Sequence, residues 1–402
     1  MSGKKILFIS GSLGLGHIGR DIEIAKALRE KEPDVDISWL AEDPAIMVLT
    51  QAGEKIFSEA NLGASANTKL ESLTQNYKVN LVRWTMNMMK SWSNSAKTLA
   101  KAIEREHFDL VIGDETYEIM VEQAHDPSFR KFPFVMIYDF IGFDSVTRNP
   151  VDIVATYMVN RLWANAMKAE PPFADRSLFV GEAEDVPDKK FGFMLPNRRE
   201  LAAKCLDFVG YVLSFNPNNY KNKAKAREVL GYGDEPLIVC SIGGTSAGKS
   251  LLDLCAKSYP IMKKELSDLR MVLVCGPRLS PDSIQAPAGV DVRGYVPELF
   301  KHLAVADLCI VAGGGTITLE LTALQKPFLF FPLEQHFEQE VDVATRCARH
   351  KAGVKMAYSK TTPELLAKEA ILNIDKEVAY SSIPIDGARK AAFLLSQMLV
   401  EK

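Results

Sequence analysis

The chain has 402 residues, of which 47% are hydrophobic and 25% are charged, and its formal net charge is −3. That length exceeds one typical hydrophobic core, so the composition indicates an ordinary soluble protein of two domains. The slightly acidic balance gives no reason to expect a nucleic-acid partner, and the lack of any run of about 18 apolar residues argues against a transmembrane span.

The cysteines and the N-terminal residues bear on the cellular compartment. The six cysteines are scattered and none belongs to a C-x-x-C pair, which favours buried, reduced thiols. The apolar run after Lys4-Lys5 is interrupted by Gly11 and Gly14 too early for a signal peptide. We therefore expect a cytoplasmic protein and leave a peripheral membrane contact open.

Strand-like and helix-like segments alternate through the N-terminal half. The predicted strands are 6–10, 36–40, 110–112 and 134–138. This alternation is typical of a parallel sheet with helices on both faces. A long helix is predicted over residues 81–103. Its face is rich in Met and Trp, which indicates a position in the core more than contact with a lipid or another apolar molecule.

A glycine-rich loop follows the first predicted strand and precedes a helix that is predicted from about Ile18. Gly11, Gly14 and Gly16 do not have the G-x-G-x-x-G spacing of dinucleotide-binding loops. His17 ends the loop at the open end of the strand, where ligands bind in parallel α/β sheets. His17 is therefore a candidate general base, because an imidazole titrates near neutral pH.

Acidic residues follow two further strands at the same edge of the predicted sheet. Asp114 follows the strand 110–112, and Asp139 follows the strand 134–138. Asp114 is predicted to orient the His17 imidazole, and a helix cap is the alternative role. Asp139 is the rival candidate for the base.

The second half repeats the alternation after an Asn- and Pro-rich break, and we place the linker near residues 210–222. Its predicted strands are 237–241, 270–275, 291–293, 308–311 and 328–331. A last helix is predicted from residue 386 to 400. Its apolar face is formed by Ala388, Ala391, Ala392, Leu395 and Leu399.

Residues 243–250 match the P-loop pattern G-x-x-x-x-G-K-S between a predicted strand and a predicted helix. A P-loop ATPase or GTPase also needs an Asp that holds magnesium at the end of a later strand. The later strands instead end in Gly313-Gly-Gly and in Pro332. The P-loop protein stays an alternative; otherwise Lys249 is a first-turn residue near phosphates or in solvent.

Residues 308–339 are the most informative segment for function. Gly313-Gly314 and Thr316 lie between an apolar strand and a helix, where backbone N–H groups and the helix dipole bind anions such as a diphosphate. Glu320 lies one turn later, where a carboxylate can accept two ribose hydroxyls. The polar loop after the next strand contains Glu338-Gln339. Together these features predict a nucleotide-sugar site.

This segment resembles the C-terminal signature of GT-B glycosyltransferases, which include UDP-glycosyltransferases and the lipid-linked N-acetylglucosaminyltransferase of peptidoglycan synthesis. The loop Gly14-Leu-Gly-His17 is similar to the N-terminal G-x-G-H loop of the same enzymes. The resemblance implies that Glu320 binds the ribose and that Glu338-Gln339 binds the donor sugar. Ala312 stands where plant-type members have a histidine, so phosphate contacts here are expected from the backbone.

The resemblance also implies contacts from other turns. Gly244, Thr245 and Ser246 are expected to contact the donor phosphates, and the uracil is expected near Tyr295-Val296. Gly14 and Gly16 are expected on the acceptor side. His336, in the polar loop, is a further candidate for donor binding.

The resemblance implies no cofactor beyond the UDP-sugar co-substrate and no obligatory metal, because backbone amides and a helix dipole offset the diphosphate charge. Asp34-Val-Asp36 matches the D-x-D metal motif of the other major glycosyltransferase fold. Two surface carboxylates at the start of a strand explain it better.

We therefore predict an α/β protein with two facing Rossmann-like domains. Residues 1–210 are assigned to the acceptor, residues 211–385 to the nucleotide sugar, and residues 386–402 to a C-terminal helix that crosses back to the N-terminal domain. The predicted reaction moves a sugar from a UDP-sugar to an acceptor hydroxyl with inversion, and the acceptor is lipid-linked or apolar. A UDP-N-acetylhexosamine epimerase of the same fold and a P-loop ATP- or GTP-binding protein are the alternatives.

Overall fold

A computed structural model describes residues 3–10, 15–57, 77, 96–126, 128–170 and 172–400. They form two compact units: the second contains Phe215–Ile383 together with Tyr77, and the first contains the other described residues. The predicted helix over residues 81–103 lies outside the described residues up to residue 95, and residues 96–106 are helical. No helix in the described part of the chain is both long and apolar enough to cross a membrane.

The first unit is built on a parallel sheet in which seven strands are described. Its strands are β1 (Lys5–Ile9), β2 (Asp36–Leu40), β3 (Lys55–Ile56), β4 (Leu110–Asp114), β5 (Phe134–Tyr138), β6 (Arg176–Phe179) and β7 (Asp207–Phe208). Their spatial order is β3-β2-β1-β4-β5-β6-β7, so the direction of winding reverses between β1 and β4. The main helices are Leu15–Lys31, Ala45–Gln51, Tyr117–His125, Pro150–Met167, Arg198–Cys205 and Gly387–Val400.

The C-terminal helix Gly387–Val400 packs on the first unit. Its buried face, which contains Ala391, Leu395 and Leu399, lies in one hydrophobic core with Ile22 and Leu28 of the first helix. Residues four apart lie on one side of a helix, so the apolar spacing noted in the sequence forms this contact. The prediction that the last helix returns to the N-terminal domain is confirmed.

The second unit has the same kind of sheet, in which six strands are described. They are β8 (Leu237–Ser241), β9 (Arg270–Val274), β10 (Val290–Arg293), β11 (Leu308–Ala312), β12 (Phe328–Phe331) and β13 (Val354–Lys355). The order β10-β9-β8-β11-β12-β13 reverses between β8 and β11. The main helices are Lys223–Leu230, Lys249–Glu265, Phe300–Val305, Gly315–Ala323, Ala344–Arg349 and Pro363–Asn373.

Two parallel α/β units confirm the predicted fold class, but one local prediction is wrong. Glu338 and Gln339 were expected in a polar loop, and instead they begin a π-helix, Glu338–Val343, that continues into the helix Ala344–Arg349. No Gly or Pro interrupts residues 333–352. Polar composition alone does not prevent a helix when these breakers are missing.

Candidate functional site

The predicted acid–base residues meet at the point where the first sheet reverses its winding. Ligands of open α/β sheets bind at the carboxyl ends of the strands at this point. β1 leads into the helix Leu15–Lys31, which carries His17 in its first turn, and neighbouring β4 ends at Asp114. Asp139 follows β5, the next strand along the sheet. Gly16 lies in the first turn of the same helix, and Gly14 lies outside the described residues.

His17 and Asp114 form a close pair. Nδ1 of His17 lies 2.8 Å from Oδ2 of Asp114, whose side chain is fully buried. Burial and the charge of Arg20 lower the pKa of His17, but the carboxylates of Asp114 and Asp139 outweigh them, so its pKa is raised above 6.5. An N–H at Nδ1 that donates to Asp114 leaves the Nε2 lone pair available to take a proton.

Two further carboxyl groups lie beside Nε2 of His17. Glu115 Oε2 is 3.7 Å and Asp139 Oδ2 is 3.9 Å from this atom. Burial and the charge of Asp139 raise the pKa of Glu115 well above its usual value. Burial also acts to raise the pKa of Asp139, but Arg20 and His17 hold it well below its usual range. The surroundings therefore favour the neutral form of Glu115 and the ionised form of Asp139.

Glu115 also has an unusual backbone conformation. Its φ is 52°, in the left-handed region that residues with a β-carbon seldom adopt. The backbone N–H of Glu115 donates to the carbonyl of Ile137 on β5, and its carboxyl accepts from the Tyr117 hydroxyl. Strained residues of this kind persist only where the surrounding structure holds them in place, and they cluster at functional sites.

Arg20 and Asp21 complete the buried group, and we had assigned neither of them to the site. Arg20 contacts Asp114 and Asp139, and Asp21 accepts a hydrogen bond from Ser10 at 2.6 Å. Burial and the Asp114 charge raise the pKa of Asp21 well above its usual value. We call the group the acid–base cluster; its members are His17, Arg20, Asp21, Asp114, Glu115 and Asp139.

The predicted phosphate-binding turns meet at the corresponding point of the second sheet. β8 leads into residues 243–246, and neighbouring β11 leads into Gly313 and Gly314. The segment with Gly244, Thr245 and Ser246 begins at Gly243, whose φ is +76°. Lys249 pairs with Asp253 one turn along its helix, at 2.7 Å, and is half-exposed.

Gly313 is required by a close approach of two loops. A β-carbon at this position would lie 2.6 Å from Cα of Pro332, whereas at Gly314 the nearest atom would be 3.8 Å away. Gly314 is the N-cap of the helix Gly315–Ala323, in which Thr316 is the second residue. The first N–H groups of a helix have no partner within it, so this turn presents donors suited to a diphosphate.

Charged side chains surround the beginning of this helix. Arg346 donates to the carbonyl of Gly315 and, at 3.2 Å, to the Thr318 hydroxyl. A carboxylate oxygen of Glu338 lies 3.8 Å from the place that a β-carbon of Gly315 would occupy. Glu320 lies in the second turn, and burial raises its pKa to about 8. Arg346 is a candidate donor-site residue that the sequence reasoning missed.

The remaining donor-side candidates differ in what they offer a ligand. Gln339 uses its side-chain oxygen to accept from the Leu333 N–H at 2.9 Å. Val296 packs on the second hydrophobic core, and Tyr295 is partly buried beside it. His336 is buried, and burial lowers its pKa to about 4, so it is neutral near pH 7.

Comparison with known proteins adds independent information. The glycosyltransferase family 28 C-terminal domain matches residues 238–385. A UDP-N-acetylglucosamine–N-acetylmuramyl-(pentapeptide) pyrophosphoryl-undecaprenol N-acetylglucosamine transferase of Acetivibrio thermocellus is 24% identical over 375 residues, which cover 90% of this chain and 88% of that protein. The protein of the same name from Clostridioides difficile is 22% identical and covers 90% of this chain and 79% of its own length.

Solved structures agree on the fold. The glycosyltransferase SnogD of Streptomyces nogalater has a TM-score of 0.56 at 17% identity, over 99% of this chain and 96% of that one. MurG of Acinetobacter baumannii has a TM-score of 0.50 at 17% identity, over 97% and 95%. Together with the match over residues 238–385 and the two long relatives, these similarities show a nucleotide-sugar glycosyltransferase of the GT-B fold.

Proposed function

We propose that this enzyme transfers a sugar from a UDP-sugar to a hydroxyl group of a lipid-linked acceptor, with inversion at the anomeric carbon, without a metal, and with His17 as the general base. The observation that carries the proposal is the pair of His17 and Asp114 at the winding reversal of the first sheet, 2.8 Å apart. In the described part of the chain, Nε2 of His17 has no hydrogen-bond partner, so this atom is the one that can receive a proton.

In the proposed reaction, Nε2 of His17 takes the proton of the acceptor hydroxyl. The acceptor oxygen then forms a bond to the anomeric carbon, and the bond from that carbon to the diphosphate oxygen breaks. UDP leaves with the electron pair of the broken bond. Asp114 stabilises the imidazolium that results, as a carboxylate on the far nitrogen of a catalytic histidine does.

Three features of the second unit support a UDP-sugar as the donor. The N-terminus of the helix Gly315–Ala323 offers N–H groups to a diphosphate, Glu320 can accept ribose hydroxyls, and Glu338 and Arg346 lie near Gly315. Both long relatives are named for UDP-N-acetylglucosamine, which is therefore the first donor to test.

An exposed apolar surface in the first unit supports a lipid-linked acceptor. The helix Pro150–Met167 exposes Val151, Val154, Met158 and Leu162, which are three or four residues apart and form one stripe. Phe193 and Met194 are more than four-fifths exposed, and a β-carbon at neighbouring Gly192 would lie 2.7 Å from the Tyr157 ring of that helix. We call these six exposed residues the apolar stripe.

The surroundings of the apolar stripe favour a bilayer with anionic headgroups as its partner. Arg148, Arg161 and Lys190 are exposed on the same helix and loop or beside them, and Lys189 pairs with Asp144 at 2.7 Å. Basic residues around an apolar face are typical of surfaces that lie on anionic membranes. Both long relatives are named for an undecaprenol-linked acceptor, which would lie in such a bilayer.

The catalytic proposal is tested by single-turnover transfer from UDP-N-acetylglucosamine to the lipid-linked acceptor that the two relatives' names describe. His17→Ala should lower the rate by about 10²–10⁴-fold, the usual range for general-base catalysis, and leave UDP affinity unchanged. Transfer at the wild-type rate by His17→Ala, together with an inactive Asp139→Asn, would assign the base to Asp139 instead.

The acceptor proposal is tested by sedimentation with vesicles of phosphatidylcholine, with and without phosphatidylglycerol. Met158→Asp combined with Phe193→Asp should abolish binding to the anionic vesicles. Val229→Asp combined with Leu372→Asp is the matched control, because both are exposed apolar residues of the second unit and the variant adds the same charge. Equal binding of the double variant and the control would exclude the apolar stripe as a membrane surface.

A further inference from the structure

Arg20 contacts His17, Asp114, Asp139 and, at 3.9 Å, Asp21 in the acid–base cluster, and it has no part in the proton transfer described above. We propose that Arg20 is a positioning residue for His17: it fixes the carboxylates of Asp114 and Asp139 and keeps the imidazole in the form that accepts a proton. The proposal rests on the proposed role of His17 as the base. The experiment below separates the failure of one proposal from the failure of the other.

The contacts of Arg20 join three structural elements of the first unit. Nη2 lies 2.5 Å from Oδ1 of Asp114 at the end of β4, and Nη1 lies 2.8 Å from Oδ2 of Asp139 after β5. The guanidinium is planar and rigid, so two carboxylates bonded to its two nitrogens are held in a fixed mutual geometry. Arg20 itself is buried and lies one turn after His17, which places both on one side of the helix.

Arg20 also bears on the tautomer of His17. Nη2 of Arg20 and Oδ2 of Asp114 both lie 2.8 Å from Nδ1 of His17. A guanidinium only donates, so a hydrogen bond from Arg20 to Nδ1 would require the proton on Nε2 and would remove the base. Because Nη2 donates to Oδ1 of Asp114, the other oxygen of that carboxylate can accept the Nδ1 proton. Asp114 thus satisfies both donors, and Nε2 keeps its lone pair.

The charges around His17 show why the cluster needs a cation. Within 4 Å of its ring nitrogens are carboxylates of Asp114 at the end of β4, Glu115 in the turn after β4 and Asp139 after β5. Tyr117 contacts Glu115, and Asp21 on the same helix as His17 lies 3.9 Å from Arg20. Burial and neighbouring groups raise the pKa values of Glu115, Asp21 and Tyr117 well above their usual values, whereas Arg20 and His17 lower those of Asp114 and Asp139. Arg20 is the cation that faces the two carboxylates whose pKa values are lowered. Without Arg20, both would stabilise the imidazolium, and His17 would hold its proton to a higher pH.

Arg20→Met and Arg20→Lys test this role in the full-length enzyme. The first removes the charge at similar length, and the second keeps the charge but can no longer bond two carboxylates through one rigid group. Arg29→Met is the matched control, because Arg29 lies on the same helix but pairs with Glu54, at 2.6 Å. The pKa of the His17 imidazole is measured by NMR titration, with the signal assigned by its absence from His17→Gln. The acid limb of the kcat/KM profile is measured in parallel.

In Arg20→Met the NMR pKa of His17 should rise by about one unit or more, the usual effect of losing a neighbouring charge, and the acid limb should move with it. Arg20→Lys should raise the His17 pKa by less than Arg20→Met does, and its kcat should be lower than that of the wild type. Arg29→Met should match the wild type in both measurements. Circular dichroism identifies the folded variants; if Arg20→Met does not fold, Arg20→Lys decides. An unchanged His17 pKa in a folded Arg20 variant would overturn the proposal. If the pKa moves but the acid limb stays, Arg20 tunes His17 and the assignment of the base is wrong.

Discussion

Proton release on UDP binding is the sharpest test of the donor site. Burial raises the pKa of Glu320 to about 8, so at pH 7 about one-tenth of these groups are ionised. If the carboxylate is the form that accepts the ribose hydroxyls, UDP binds only that fraction. The apparent affinity is then reduced about tenfold at pH 7, and it should recover as the pH rises towards 9.

The raised pKa of Glu320 implies that protons are released, and not taken up, when UDP binds. A raised pKa means that the free enzyme holds a proton that bound UDP must displace, so binding at pH 7 should release about 0.9 proton per UDP. Titration calorimetry in two buffers of different ionisation enthalpy measures this number directly. His336 does not interfere, because its pKa of about 4 keeps it neutral throughout this range.

Glu320→Gln is the control, because the amide keeps one acceptor and cannot titrate. It should bind UDP with an affinity that changes little between pH 7 and pH 9, and the phosphate of UDP, whose second pKa is about 6, contributes equally to both enzymes. Glu320→Ala should lose about 1.5–3 kcal/mol of binding relative to the ionised wild type. Equal pH dependence and equal proton release in the wild type and Glu320→Gln would show that Glu320 does not bind the ribose.

Three further predictions concern the turn at Gly313 and the acid–base cluster. Gly313→Ala should lower the free energy of unfolding by about 1–3 kcal/mol because its β-carbon would meet the Pro332 backbone, whereas Gly314→Ala should be tolerated. Equal melting temperatures of the two variants would contradict this prediction. The raised pKa of His17 predicts that kcat/KM falls with a midpoint above pH 6.5 on the acid side, and a midpoint near pH 4 would indicate a carboxylate base. Glu115→Gln should keep this midpoint because the raised pKa of Glu115 favours its neutral form, and a shift in this variant would show that Glu115 is ionised. Asp139→Asn should lower the midpoint by removing a carboxylate that raises the His17 pKa.

The strands that determine the fold could be predicted because each is a short apolar run between polar turns. The bounds of β2, β5, β8 and β12 agree with the predicted ranges. The short strands β3, β6, β7 and β13 were not predicted. They have two to four residues each and lie towards the edges of the sheets, where too few residues are buried to give a recognisable pattern.

Arg20 was missed because of a small error in a helix boundary. The helix was expected from about Ile18, which left His17 in a loop, but it begins at Leu15. Only when His17 is helical does the three-residue spacing place Arg20 on the same side and beside the same carboxylates. Arg346 was missed for a related reason, because the π-helix Glu338–Val343 precedes it and π-helices are too rare to be expected from a polar segment.

The winding reversals of the two sheets differ in their electrostatic surroundings. At the reversal between β1 and β4, carboxyl groups outnumber cations, and they raise the pKa of a histidine so that it binds a proton more strongly. At the reversal between β8 and β11, the loops are rich in glycine and backbone N–H groups, and the Arg346 guanidinium lies beside them at the Gly315 carbonyl. A diphosphate would be repelled by ionised carboxylates, and a general base would be weakened by a concentration of positive dipoles. In the proposed reaction the proton acceptor and the diphosphate belong to separate sheets, so each can be tuned without disturbing the other; this would be a physical reason to build such an enzyme from two similar units.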